Sequence, residues 1–248
     1  MKCIGFIGKS DKTELIGYIS KIIAATGKKV IFLDATSSQK TRYTIPTIDG
    51  VDEQTQYVTQ HDGVDVAVGF SNMLELKKYL LTKGEDFNEY DYVMVDTDMD
   101  EMIEEYDLKS ANALFFVTSY DKMYIKKGID LLKFISALKR RADPDAVVQL
   151  YKLTFYSELL TTADRKFIED CTDNLPLEWN ATTLDYPYDG GDLSVNIQNQ
   201  YSKKFDIRML SRSYKDALAL TVEVITGDSI QNIKKVMKNA EKSARFFA

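Results

Sequence analysis

Several short stretches of this chain are apolar at every position and stop abruptly at a polar residue. Val30-Ile31-Phe32-Leu33 stops at Asp34, Tyr92-Val93-Met94-Val95 stops at Asp96, and Leu114-Phe115-Phe116-Val117 stops at Thr118. A strand with one face in water alternates polar and apolar residues, so these runs fit only strands covered on both faces. Lys2–Ile7 and Val147–Leu150 read as further strands, and Val64–Phe70, where valine alternates with Asp65, Ala67 and Gly69, as another. Between them the apolar residues recur at helical spacing. Leu15, Ile16, Ile19, Ile22 and Ile23 predict a helix over 13–25, closed by Thr26-Gly27, and Ile129, Leu132, Ile135 and Leu138 predict one over 125–140. Further helices are expected over 72–82 and 159–171. The polar stretches 36–62, with room for a short helix, and 182–201 read as long loops. Strands alternating with helices specify a doubly wound α/β fold: a mainly parallel sheet with helices on both faces and right-handed crossovers.

The chain has 248 residues, enough for one large domain of this kind, with 44% hydrophobic and 28% charged residues. Its formal net charge is −6, which excludes a whole-domain basic footprint for nucleic acid but not a local patch. Two distant cysteines, Cys3 and Cys171, and a single histidine, His61, argue against a disulfide framework, a zinc site or a histidine-based triad. No run approaches the ~18 apolar residues of a membrane span. The first ten residues do not read as a signal peptide, and a cytoplasmic location is the expectation. The organisation expected is one α/β domain over residues 1–227, followed by a basic amphipathic helix over 228–248.

In an open sheet of this kind, ligands bind beyond the carboxyl ends of the strands. Three of those ends carry suggestive groups: Gly8-Lys9-Ser10-Asp11-Lys12-Thr13 after the first strand, Asp34 after the second, and Asp96 after the Tyr92–Val95 run. Taken in this order the trio resembles the MinD/ParA family of dimeric P-loop ATPases, whose pattern is strand–KGGxGK[ST]–helix, then a strand ending in Asp-x-Asp, then an apolar strand ending in aspartate. The segments ANALFFVTSYDKMYIKKGIDLLKFI and Ser213–Leu218 look like later elements of that family, so the likeness spans residues 1–226. It implies ATP and magnesium as cofactors, with Gly8, Lys9, Ser10, Lys12, Thr13, Asp34 and Asp96 at the nucleotide and Thr13 and Asp96 at the metal. It also implies a homodimer that places a cell structure or a DNA cargo, with Gly8–Thr13 and residues 34–42 near the two-fold axis. The branch that localises tight-adherence pili fits best, because atypical phosphate loops occur there.

The departures from the pattern are as informative as the matches. A working loop has the spacing GxxxxGK[ST], because glycines let successive N–H groups wrap the phosphates. With Lys9-Ser10 as its end, the first glycine falls on Cys3; with Lys12-Thr13, the two glycines fall on Phe6 and Asp11. The loop reads as about two residues short. Asp11 and Glu14 have the form of a capping box, which would occupy the helix N–H groups that a phosphate needs. Thr36 stands where the family has the aspartate that positions the attacking water, and a neutral hydroxyl is a poorer base. Asp98 stands where the family often has proline.

The resulting expectation is a localisation or assembly factor with a degenerate nucleotide site that hydrolyses ATP poorly or not at all. Two other readings stand beside it: a slow magnesium-dependent ATPase using Lys12, Thr13 and Asp96, and a scaffold that uses no nucleotide. The final segment carries Ile230, Ile233, Val236 and Met237 on one side, with Lys234, Lys235, Lys238 and Lys242 around them and Phe246-Phe247 at the end. Such a segment suits peripheral contact with the inner face of a membrane or with a protein partner of the localisation machinery. The plain alternative is a last helix packed on the domain.

Overall fold

The computed structural model describes the whole chain except residues 47–49, 51, 53–54, 101–110, 157–161, 188 and 244–248. Strand β1 (Lys2–Ile7) lies in the middle of an eight-stranded sheet, between β5 (Tyr92–Thr97) and β6 (Ala111–Ser119). Beyond β5 come β2 (Val30–Ala35), β4 (Val64–Val68) and β3 (Tyr57–His61); beyond β6 come β7 (Val148–Tyr156) and β8 (Leu177–Pro187). Every neighbouring pair is parallel except β3 and β4, which form an antiparallel hairpin. The mainly parallel sheet read from the apolar runs is therefore the one observed.

The runs bury both faces because consecutive side chains point to opposite sides. Val30 and Phe32 enter one core cluster, with Ile4 and Phe6 of β1 and Phe115 and Val117 of β6. That cluster is covered by α1 (Thr13–Ala24), α7 (Arg212–Thr226) and α8 (Ile230–Ser243). Ile31 and Leu33 enter the opposite layer, under α3 (Met73–Thr82), while Phe116, Val148 and Leu150 meet α4 (Lys122–Ala142) and α5 (Thr162–Thr172).

Two of the expected loops contain regular structure. Residues 36–62 hold the four-residue helix α2 (Thr41–Thr44) and β3. The hairpin tip is Asp62-Gly63, with φ of 51° and 82°; an Asp-Gly pair between two strand-like segments is a tight-turn signal. Polar Thr59 and Gln60 masked the strand, which needs only one covered face at the sheet edge. Residues 182–201 hold the end of β8 and helix α6 (Gly190–Ser202). Asp189 caps that helix by accepting from the Asp192 amide at 2.8 Å.

The strand ends are joined by close backbone approach. Gly8 has φ +148°, and a Cβ on it would stand 2.0 Å from the carbonyl oxygen of Val117. We expect Gly8→Ala to lower the unfolding free energy by more than the ~1–2 kcal/mol that a left-handed backbone alone costs an L-residue. Gly27→Ala is the comparison, with φ +86° and open space around it. Urea denaturation of the two variants, with Gly8→Ala the less stable, is the expected outcome.

Candidate functional site

Residues 8–12 link β1 to α1, so Lys12-Thr13 stands at the start of the helix. In that frame GxxxxGKT runs from residue 6 to 13. Phe6 and Asp11 stand at its two glycine positions, and the first of them lies inside β1, so only residues 8–12 remain between strand and helix. Phe6 takes the first place because its ring is core, 0% exposed and stacked on Phe115 at 5.0 Å. Asp11 takes the second. Lys12 is 3% exposed; its Nζ donates to the Gly8 carbonyl at 2.9 Å and meets Asp96 Oδ1 at 2.7 Å. Lys9 is held elsewhere, by the carbonyl of Asp98. Ser10 Oγ accepts from the Ser119 amide at 2.9 Å, which ties the loop to the end of β6.

The capping box is not formed. Lys12 occupies the N-cap position without a side-chain cap, and the one helix amide that Asp11 takes is that of Thr13, at 3.3 Å. Glu14 is drawn away by stronger donors: the Lys40 ammonium at 2.8 Å and Gln200 Nε2 at 2.6 Å. Lys40 also pairs with Asp11. Burial, with repulsion from Asp11, raises the Glu14 pKa against the pull of Lys40. None of residues 9–12 has positive φ, so the loop lacks the alternation of right- and left-handed residues that turns successive amides onto an anion.

Asp34 and Asp96 are register partners at the ends of β2 and β5. Asp34 is fully buried and committed to its own turn, accepting from Thr36 N at 3.0 Å, Thr36 Oγ1 at 2.6 Å and Thr41 N at 2.9 Å. Thr36 thus spends its proton on Asp34. Asp98 accepts from both the amide and the hydroxyl of Ser37 at 2.8 Å. Asp96 is 1% exposed, and its Oδ2 has no hydrogen-bond partner among the described residues. Asp96 and Thr13 line one cavity. Two hard oxygen donors beside room for water fit magnesium, which keeps several waters in its shell.

The cavity measures about 450 Å³ and is lined by residues 9–13, Thr36, Ser38, Lys40, Tyr43, Asp96, Asp98 and Tyr124. A second, of about 260 Å³, shares Ser10, Asp11, Lys12, Lys40 and Tyr124, and extends to Phe155, Pro187, Asp192 and Gln200. All the residues expected at the nucleotide therefore gather at one edge of the sheet, although Asp34 faces its own turn. Sequence reading missed Lys40, Ser119, Tyr124, Pro187 and Gln200. Ser119 and Pro187 close β6 and β8, and the rule that placed Asp34 and Asp96 could have found them. Nothing in the sequence marks Lys40 or Gln200.

The C-terminal cluster lies away from this edge. In α8, Ile233 and Met237 belong to the main core, Lys234 pairs with Asp216 at 2.7 Å, and Lys235 and Lys238 are exposed. The side chain of Lys242, and all of Phe246 and Phe247, lie outside the described residues. Among the described residues, no helix is long and apolar enough to cross a membrane.

Burial pushes the Asp96 carboxyl up to about 7; Asp34 adds to the rise, and Lys12 opposes it. A folded-state value above the ordinary 3.8 means that folding takes up a proton between those two pH values. Stability from this group is fully present below the lower value and is lost as pH rises through the upper one. We expect the stability difference between the protein and Asp96→Asn to shift against the unaltered protein from about pH 4 to about pH 7, then level off. Denaturation midpoints across that range measure it.

No family model and no curated protein matches the sequence. Solved structures do match the fold. MinD of Aquifex aeolicus superposes with a TM-score of 0.59 at 15% identity, over 92% of this chain and 98% of that one. A putative plasmid partition protein of Borrelia burgdorferi gives 0.56 at 13%, over 90% and 98%. Cobyrinic acid a,c-diamide synthase of Mycobacterium smegmatis gives 0.55 at 14%, over 92% and 97%. With its central β1, its loop into α1 and its eight-stranded, mainly parallel sheet, the chain has the MinD/ParA-like fold of the P-loop NTPases.

Proposed function

We propose that this protein is a localisation or assembly factor built on the MinD/ParA plan, whose nucleotide site does not run an efficient hydrolytic cycle. One observation carries the second half: the phosphate loop is closed on itself. Lys12 is held by Gly8 and Asp96, Asp11 takes the Thr13 amide, and no residue from 9 to 12 turns its amide by positive φ. Hydrolysis also needs a group to orient water, and the Thr36 hydroxyl is already donated to Asp34.

The positioning role rests on likeness of fold. Among proteins of similar structure, MinD is a cell division protein seen in complex with MinC, and others are a plasmid partition protein bound to AMPPNP and McdA bound to ATP. The diamide synthase shares the fold and is an enzyme of another kind, so fold alone does not carry the role. Under this reading a homodimer meets across the edge that carries residues 8–13 and 34–42, and a protein partner of the localised structure binds it. A magnesium nucleotide would be held at its phosphates by Lys12 and at its metal by Thr13 and Asp96, and the metal would supply charge neutralisation of the phosphates.

Calorimetric titration of ATP with magnesium, followed by a phosphate-release assay, tests the reading. We expect turnover at least about 1000-fold below the ~10 s⁻¹ typical of enzymes, and weak or undetectable heat. Magnesium-dependent turnover above about 0.01 s⁻¹, abolished by Lys12→Ala, would sink it in favour of the ATPase alternative.

A further inference from the structure

Among the described residues that line the cleft, Lys40 is the one cation that reaches it from a different strand end than the loop itself. It extends from the segment after β2 to hold both Asp11 and Glu14, and its side chain is 24% exposed while that of Glu14 is 8%. Burial alone would lower its pKa, yet Glu14 and Asp11 hold it above the ordinary value, so it stays charged. Asp11 meanwhile satisfies the Thr13 amide at the start of a twelve-residue helix. One carboxylate thus accepts from a helix N-terminal amide and from a lysine ammonium. Those are the two kinds of donor that a phosphate oxygen takes. Asp11 is also the more exposed partner, at 57%, and can swing out without leaving a buried hole.

The cavity beside these groups carries a second, independent mark. Asp96 lines the same space, and its buried Oδ2 has no hydrogen-bond partner among the described residues. An unpaired carboxylate oxygen there calls for a cation or its water shell, and a magnesium-bound polyphosphate supplies both charges at once.

We propose that Asp11 is an internal stand-in for a phosphate and that Lys40 is a phosphate ligand of this site, released when a magnesium-bound di- or triphosphate displaces Asp11. The idea rests on the reading of this cleft as a nucleotide-type site and goes beyond it. It assigns a ligand outside the phosphate loop and explains why the loop tolerates aspartate in place of glycine. Glu14 keeps Lys40 over the cleft after the exchange, because Gln200 fixes its carboxylate at 2.6 Å.

The test uses the full chain and magnesium pyrophosphate as the probe, titrated calorimetrically into the protein, Asp11→Asn, Asp11→Gly, Lys40→Met and the double variant Asp11→Asn/Lys40→Met. Asp11→Asn is isosteric, so a native circular dichroism spectrum and melting curve are expected of it. Removing the stand-in should tighten binding by about tenfold or more, the worth of one charge-assisted hydrogen bond. Lys40→Met should remove that gain in the double variant. A gain that survives in the double variant overturns the role of Lys40, because relief of charge or crowding at Asp11 then accounts for it. Binding by the unaltered protein as tight as by both Asp11 variants overturns the stand-in. Silence in all five proteins overturns the reading of the cleft itself, and this inference with it; that outcome is distinguished from failure of the inference alone, where binding occurs and is indifferent to residues 11 and 40.

Discussion

Lys12 and Asp96 form an ion pair with almost no water on either side, 2.7 Å apart at the junction of β1, β5 and α1. Taking each charge out of solvent costs several kcal/mol, and their attraction offsets this only where the remaining donors and acceptors are also satisfied. Lys12 meets that condition in part through the Gly8 carbonyl. Asp96 does not, because its second oxygen is unpaired. The pair holds three elements in register, so neither member can be lost without leaving a buried charge. It also leaves the site with an unmet demand for positive charge on the Asp96 side.

Around that pair, polar groups at the carboxyl ends of the strands are engaged in structure. Phe6 stacks where the pattern has its first glycine. Asp34 holds the turn into α2 through three donors, and Thr36 is one of them. Gln39 adopts φ 47° and bridges the same turn to β4, donating to the Asp34 carbonyl and accepting from the Gly69 amide. Each contact stabilises the carboxyl edge of the sheet, and each ties up a donor or acceptor that a reacting ligand would need. Stability and activity draw here on the same few atoms.

Much of this was legible in the chain, and the exceptions have physical causes. The buried strands could be read because burial on both faces leaves no choice of residue, and Asp34 and Asp96 could be placed because they interrupt such runs. The edge strand β3 and helix α6 could not, since each needs only one covered face. Their signals lay in the punctuation instead: Asp62-Gly63 for the hairpin and Asp189 for the helix cap. At the site, local pattern misled. Asp11 and Glu14 have capping-box spacing, but the strongest donors available to Glu14 come from residues 40 and 200, which no local rule can see. The loop itself was bounded correctly by its neighbours, since β1 ends at Ile7 and the helix begins at Thr13.

The central place of β1 also bears on how the protein emerges from the ribosome. β1 is flanked by strands that begin at Tyr92 and Ala111, and Ser10 meets its partner amide 109 residues later. At ~5–20 residues per second, the stretch that ends β1 waits roughly 5–20 s for its second neighbour. During that time Phe6 has no Phe115 to stack on, and Lys12 has no Asp96 until β5 has been synthesised. A nascent chain of this fold therefore carries an apolar segment and an unpaired Lys12 until the middle of the sheet can close.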